Sequence, residues 1–264
     1  MLIPVGCFAA AVAPAHSIWN VICSLFWIWV HLLQFNISNQ IVSLNEDREN
    51  KSYRPLPASL ITIQHATALK YLLIPLCWAL SAQYGATVLT ASVFIGGLTI
   101  LYNDLGAHAH WASRNLVNAA GFACYEIGST LVASIHPQQP SDKMKAAVSL
   151  SALILATTIH AQDFRDQRGD VLIGRKTLPI VFGDNARSAM IILLALWSFS
   201  SSQLWELDIV SSMIICFLGL YVGFRFLFMT STSDDKISYH WYNIWLALVH
   251  MMPVYSKLSN IVRA

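Results

Sequence analysis

Residues 160–179 read HAQDFRDQRGDVLIGRKTLP and follow directly on an apolar run, AAVSLSALILATTI. A helix here stacks Asp166 and Asp170, spaced i, i+4, on one face. A related pattern closes an earlier apolar run, in FNISNQIVSLNEDRENKSYRPLP at residues 35–57. There Asn39, Ser43 and Asp47 are spaced i, i+4, i+8. Both stretches continue into basic residues and a proline turn. The first has Lys51 and Arg54-Pro55-Leu56-Pro57; the second has Arg168, Arg175 and Lys176-Thr177-Leu178-Pro179. Like charges at this spacing destabilise a helix, and carboxylates at a membrane boundary are costlier still. A divalent cation removes that penalty. Mg²⁺ takes oxygen ligands, keeps several waters and bridges a few carboxylates to phosphate groups. Lysine and arginine neutralise the remaining phosphate oxygens. The doubled pattern therefore points to a metal–diphosphate site at the mouth of an apolar bundle. It suits an amphiphile with a diphosphate head and a hydrocarbon tail.

The elements that must position these groups are membrane helices. The chain has 264 residues, 56% hydrophobic and only 11% charged, with mean hydropathy +0.54. Soluble domains are about a quarter charged, so this composition cannot cover a water-facing surface. The apolar stretches are about 20 residues long rather than short and alternating, which selects helices over a barrel. A net charge of +2 gives no reason to expect a nucleic-acid partner, and nothing points to an obligate protein partner. Cys7, Cys23, Cys77, Cys124 and Cys216 are scattered in apolar sequence without CxxC spacing, and read as small hydrophobes. No basic segment precedes the first apolar stretch, so no signal peptide is expected.

Apolar stretches fall near 2–13, 17–44, 59–83, 86–102, 115–135, 145–163, 186–204, 209–229 and 240–256. We expect an all-α polytopic membrane protein: one domain over 1–264, about nine helices around a central apolar chamber, and two pseudo-repeated halves. The first stretch is too short to span alone, and Pro14 and His16 mark the turn after it. The loops after the even-numbered helices carry Arg48, Lys51, Arg54, Arg114, Arg165, Arg168, Arg175, Lys176, Arg187 and Lys236. The other side carries only Lys143, Lys145, Lys257 and Arg263. The basic side is then cytosolic, and both acidic stretches lie on it. The endoplasmic reticulum or another intracellular membrane is the expected location.

At this point the sequence resembles the UbiA superfamily of intramembrane prenyltransferases. That family has N-D-x-x-D-x-x-x-D after its second helix, then a basic residue and R-P-L-P, and D-x-x-x-D after its sixth, then Gly and K-[ST]. Here the first motif stands as Asn39, Gln40, Ser43 and Asp47, then Asn50, Lys51, Arg54 and Pro55. The second stands as Asp166 and Asp170, then Gly174, Lys176 and Thr177, with Asp163 as an additional acid. Gln40 and Ser43 replace family aspartates, so metal binding is expected to lean on the second motif. Glu46 sits about 100° from Asp47 on a helix and ranks behind it. The resemblance implies Mg²⁺ held by Asn39, Asp47, Asp163, Asp166 and Asp170, with Asn39, Asp47, Asp166 and Asp170 the catalytic set. It implies a prenyl diphosphate held by Lys51, Arg54, Arg114, Arg168 and Lys176. The wording of both stretches looks like a fungal branch that includes membrane-bound terpene cyclases acting on farnesyl or geranylgeranyl diphosphate. Prenyl transfer to an aromatic acceptor stays open beside cyclisation.

The connection LYNDLGAHAHWASRNLVN lies on the same side and could cover the pocket. Tyr102 and Arg114 partly match a family element there. His108 and His110 form an HxH pair, but zinc would need further ligands. Aromatic faces attract cations, which makes Phe35, Phe122, Tyr125, Trp241, Tyr242 and Trp245 candidate chamber walls, with Tyr102 and Asn118 beside them. Glu126 and Lys70 fall inside apolar stretches, where an ionisable residue is a functional suspect; Glu126 is expected to shape the chamber or take a final proton. A transporter would place its acids nearer the midplane. A CDP-alcohol phosphotransferase would need D-G-x-x-A-R, which the sequence lacks.

Overall fold

Most of the long helices open where a side-chain oxygen satisfies a first-turn N–H. Ser17 accepts from the backbone N–H of Asn20 (3.2 Å), Thr62 from His65 (3.2 Å), Ser141 from Met144 (3.2 Å), Asp208 from Val210 (2.8 Å) and Ser231 from Asp234 (3.1 Å). The computed structural model describes residues 1–13, 17–135 and 139–255. Pro14, His16, Lys257, Arg263 and the side chain of Asn50 lie outside the described residues. In order the helices are α1 (Leu2–Val12), α2 (Ile18–Val42), α3 (Leu44–Asn50), α4 (Ile63–Ala82), α5 (Ala86–Asn103), α6 (Trp111–Ala133), α7 (Asp142–Thr158), α8 (Asp163–Leu172), α9 (Leu178–Phe182), α10 (Asp184–Leu204), α11 (Ile209–Phe228) and α12 (Thr232–Met251). The protein is all-α, as expected.

Among the described residues, five stretches are long and apolar enough to cross a membrane: α2, α5, α6, the run from α7 through α8, and α11. Each of the nine apolar stretches read from the sequence carries one helix among the described residues: α1, α2, α4, α5, α6, α7, α10, α11 and α12. The helix α1 is only 11 residues long, and α4, α10 and α12 interrupt their apolar sequence with charge. Of these charges, Lys70, Arg187 and Asp235 are ion-paired. Lys70 meets Asp104 at 2.7 Å, and Arg187 makes two 2.8 Å bonds to Asp235. Outward-facing Ile18, Phe217 and Met213 are largely exposed, which is the pattern of a lipid-facing surface. Between helices, small residues allow close approach. A methyl group on Gly128 would meet Trp27 of α2 at 2.3 Å; on Gly219 and Gly223 of α11 it would meet Ser198 and Ile191 of α10 at 2.2 and 2.5 Å.

Two local breaks position the charged stretches. The helix α2 stops at Val42, and α3 restarts after Ser43, which leaves the regular helical conformation (φ −99°, ψ 23°). The helix α7 gives way to a 3₁₀ turn over Ile159–Gln162 before α8 begins at Asp163. α3 and α8 pack on each other at one end of the bundle.

Candidate functional site at the bundle mouth

A cavity of about 370 Å³ opens between α2, α3, α6, α8 and α12. Its polar wall is formed by Asn39, Glu46, Lys51, Arg54, Arg114, Arg165, Asp166 and Arg175, among others. Each half supplies a cation to a carboxylate of the other. Lys51 of the first stretch reaches Asp166 of the second at 2.9 Å. Arg175 of the second hydrogen-bonds Glu46 and donates to Ser43 Oγ at 2.8 Å, both in the first. Arg175 also holds Asp170 at 2.9 Å. Gly174 makes this possible. Its φ of +71°, a conformation glycine adopts without a Cβ penalty, ends α8 and turns the chain back, so that the Arg175 N–H bonds Asp170 O.

Behind that wall sit three buried acids, each gripped by an arginine. Asp47 takes two bonds from Arg54 Nη1, at 2.9 and 2.8 Å. Asp163 accepts from Arg114 Nε (3.0 Å) and Nη2 (2.8 Å), and Arg114 Nη1 donates to Tyr102 Oη at 2.7 Å. Asp170 is held by Arg175 as above. Burial pushes the Asp47 carboxyl above its ordinary value against the pull of Arg54. Burial also raises Glu46, but Lys51 and Arg175 outweigh it and hold that carboxyl below its ordinary value.

Asn39, Lys51, Arg54, Arg114 and Asp166 therefore line the cavity. Asp47, Asp163 and Asp170 do not: Asp47 and Asp163 orient arginines from behind, and Asp170 pairs with Arg175 through one oxygen while its second stays without a partner. Arg168 and Lys176 are exposed and away from the cavity, contrary to expectation. Arg168 is two residues from Asp166, about 200° round the helix, and Lys176 is drawn aside by its backbone. Its N–H bonds Ala109 O (2.7 Å), and its C=O accepts from Trp111 N–H (2.9 Å), which pins the connection after α5 to the second stretch. Within that connection His108 Nδ1 bonds Tyr102 O at 2.7 Å, and His110 caps α6. Sequence reasoning missed Gln162, at i−4 on the face of Asp166, and Arg165 beside it, both of which line the cavity. The face containing Asp166 was the available signal for Gln162. Arg165 also stacks over the Tyr239 ring at 4.0 Å.

The apolar end of the cavity meets Phe35, Tyr102, Asn118, Phe122 and Tyr242. A smaller apolar branch of about 50 Å³ continues from Phe35, Tyr102, Asn118 and Phe122 toward Ile95, Gly121 and Tyr125. Two buried polar atoms on this branch, Asn118 Nδ2 and Tyr125 Oη, have no hydrogen-bond partner. Glu126 is not on the wall, contrary to expectation. One residue on from Tyr125, it turns about 100° away and bonds Ser151 Oγ of α7 and His250 Nε2 of α12 (2.9 Å). Trp245 is fully buried and bonds Ser198 at 2.9 Å, and Trp241 packs on Tyr221; both serve helix packing.

Among the described residues, no three histidine, cysteine or acidic side chains converge as a ready-made metal site. The donor chemistry nevertheless fits a hard cation. Asn39, Glu46 and Asp166 present oxygens to the cavity, and Asp170 Oδ2 is buried without a hydrogen-bond partner. Lys51 and Arg175 bridge these acids, and both cations can turn to an incoming anion.

The model of the UbiA prenyltransferase family matches residues 1–247. The fumagillin beta-trans-bergamotene synthase of Aspergillus fumigatus is 32% identical over 259 residues, covering 98% of this chain and 89% of that protein. A diterpene cyclase of Hericium erinaceus is 30% identical over 273 residues, covering 94% of this chain and 81% of its own length. Among solved structures, a UbiA homolog from Archaeoglobus fulgidus bound to GPP and Mg²⁺ superposes with TM-score 0.66 at 14% identity. That match covers 95% of this chain and 94% of the other.

Proposed function

Because the chain belongs to the UbiA prenyltransferase family, we propose that it ionises a prenyl diphosphate and cyclises the resulting carbocation in the apolar end of its cavity. The observation that carries this reading is one cavity with two ends. A wall of four arginines, a lysine, two carboxylates and several amides faces an apolar chamber rimmed by Phe35, Phe122 and Tyr242. Two relatives whose names describe terpene-forming enzymes support it.

Lys51, Arg54, Arg114, Arg165 and Arg175 bind and orient the diphosphate. Asp47 and Asp163 act through Arg54 and Arg114, fixing where those guanidinium groups point. Asn39, Glu46, Asp166 and Asp170 would hold Mg²⁺. When bound, the metal stabilises negative charge on the departing diphosphate oxygens. The allylic C–O bond breaks and its electron pair leaves with the diphosphate. The cationic residues face the charge where it develops, where electrostatic stabilisation is most effective. The chain's own double bonds then attack the cation while aromatic faces shield it from water. Loss of a proton from carbon restores a neutral hydrocarbon. We place this site on the cytosolic face of an intracellular membrane, the endoplasmic reticulum among them, on the strength of the Lys and Arg asymmetry.

A second reading, transfer of the prenyl chain to an aromatic acceptor, is favoured by the unpartnered Asn118 and Tyr125 groups on the apolar branch. An acceptor's hydroxyl could bond there. The test is purified protein with Mg²⁺ and geranyl, farnesyl or geranylgeranyl diphosphate, without acceptor. Hydrocarbon or terpene alcohol released with one diphosphate per turnover is expected. Turnover only after a phenol or aromatic acid is added would overturn cyclisation in favour of transfer. No consumption under either condition would overturn both.

A further inference from the structure

Glycine is a poor helix former, so one inside a long helix calls for a reason. At Gly128, Gly219 and Gly223 the reason is helix packing, since an added methyl would collide with a neighbouring helix. Gly121, in the middle of α6, is different. A methyl group there would meet nothing within 4 Å, and Gly121 forms part of the wall of the apolar branch. Asn118 and Tyr125, at i−3 and i+4 on the same helical face, line the branch too, as does the adjacent Phe122. The missing side chain leaves space for a ligand rather than for a helix. The branch, about 50 Å³, holds roughly four water-sized groups, about the bulk of one five-carbon prenyl unit.

We propose that Gly121 sets the longest prenyl chain this protein accepts, by leaving room in the branch for the terminal five-carbon unit. This rests on the prenyl-diphosphate reading above and adds a specificity-determining residue to it. The prediction is directional. Gly121→Leu fills the branch and shifts preference one unit shorter, and Gly121→Ala shifts it less. Burying five carbons is worth at most roughly 10³-fold. With partial accommodation, the ratio of kcat/KM for the longest accepted substrate to that for the next shorter one is expected to fall about 10- to 100-fold in Gly121→Leu.

The measurement is kcat/KM for geranyl, farnesyl and geranylgeranyl diphosphate with wild type, Gly121→Ala, Gly121→Leu and Gly97→Leu. Gly97 also has nothing within 4 Å of an added methyl, but it is exposed on α5 and lines neither the main cavity nor its apolar branch. Both Gly121 variants improve helix propensity, and detergent-solution melting checks that they fold. A graded, length-selective loss at Gly121 with an unchanged profile at Gly97 supports the proposal. A profile that keeps its shape in both Gly121 variants, whether activity is retained or uniformly reduced, overturns it while leaving the prenyl-diphosphate reading intact. So does an equal shift in Gly97→Leu. Wild-type protein that consumes none of the three substrates overturns both.

Discussion

The two charged stretches share a pattern but divide the work unequally. The second keeps a regular helix, so α8 carries Asp163, Asp166 and Asp170 at helical spacing. The first breaks at Ser43, and the restart brings Glu46 rather than Asp47 to the cavity wall. Gln40, where the family has aspartate, is no spare ligand; its Oε1 accepts from the Leu56 N–H at 3.3 Å and ties down the proline turn that follows. What the first stretch lacks in acid it recovers through exchange. Its Lys51 serves Asp166, and Arg175 from the second stretch serves Glu46 and Ser43. The lesson is that neither half is a complete site. Two such stretches can differ in composition because their cations cross over.

The largest break in this comparison is removal of the metal: chelation with EDTA is expected to lower turnover at least ~10³-fold, restored by added Mg²⁺. Activity that survives chelation would remove the rationale for the acids. Next come Asp166→Ala and Asp170→Ala, each expected to cost about 10²–10³-fold in kcat, the range for losing one group that stabilises transition-state charge. In the first stretch the order follows from the geometry: Glu46→Gln should lower kcat more than Asp47→Asn, because only Glu46 faces the cavity. Steady-state kinetics showing the reverse order would restore the unbroken-helix reading of this stretch. Arg175→Ala leaves Glu46 and Asp170 without their shared buried partner, a change that typically costs about 3–5 kcal/mol. It should therefore lower the melting temperature as well as activity.

Much of this was legible in the sequence. The apolar runs dictate membrane helices, and the two acid–base–proline patterns mark the end of the bundle where the site lies. Three features were not legible, each for a local reason. A one-residue break such as that at Ser43 changes which side chain faces inward, and no periodicity argument reports it in advance. Arg175, Arg168 and Lys176 look interchangeable until the positive φ at Gly174 folds the first of them back into the core. Glu126 draws attention as a buried charge, yet whether it faces the chamber or His250 depends on a rotation of one residue.

The smallest expected effect tests the comparison from its quiet side. By spacing, Arg168 and Lys176 are as good diphosphate ligands as Arg175. The structure separates them: Arg175 is buried against two carboxylates, while Arg168 and Lys176 are exposed and off the cavity. An exposed cation near a bound anion contributes little through water and is further screened by salt. Arg168→Ala and Lys176→Ala should each change kcat/KM by less than about threefold at 0.15 M salt. The backbone bonds of Lys176 to Ala109 and Trp111 survive truncation of its side chain, so the covering connection stays pinned. A loss at either position comparable with that at Arg175, persisting at high salt, would mean that the second stretch closes further onto its substrate, with the diphosphate reaching past the wall described above.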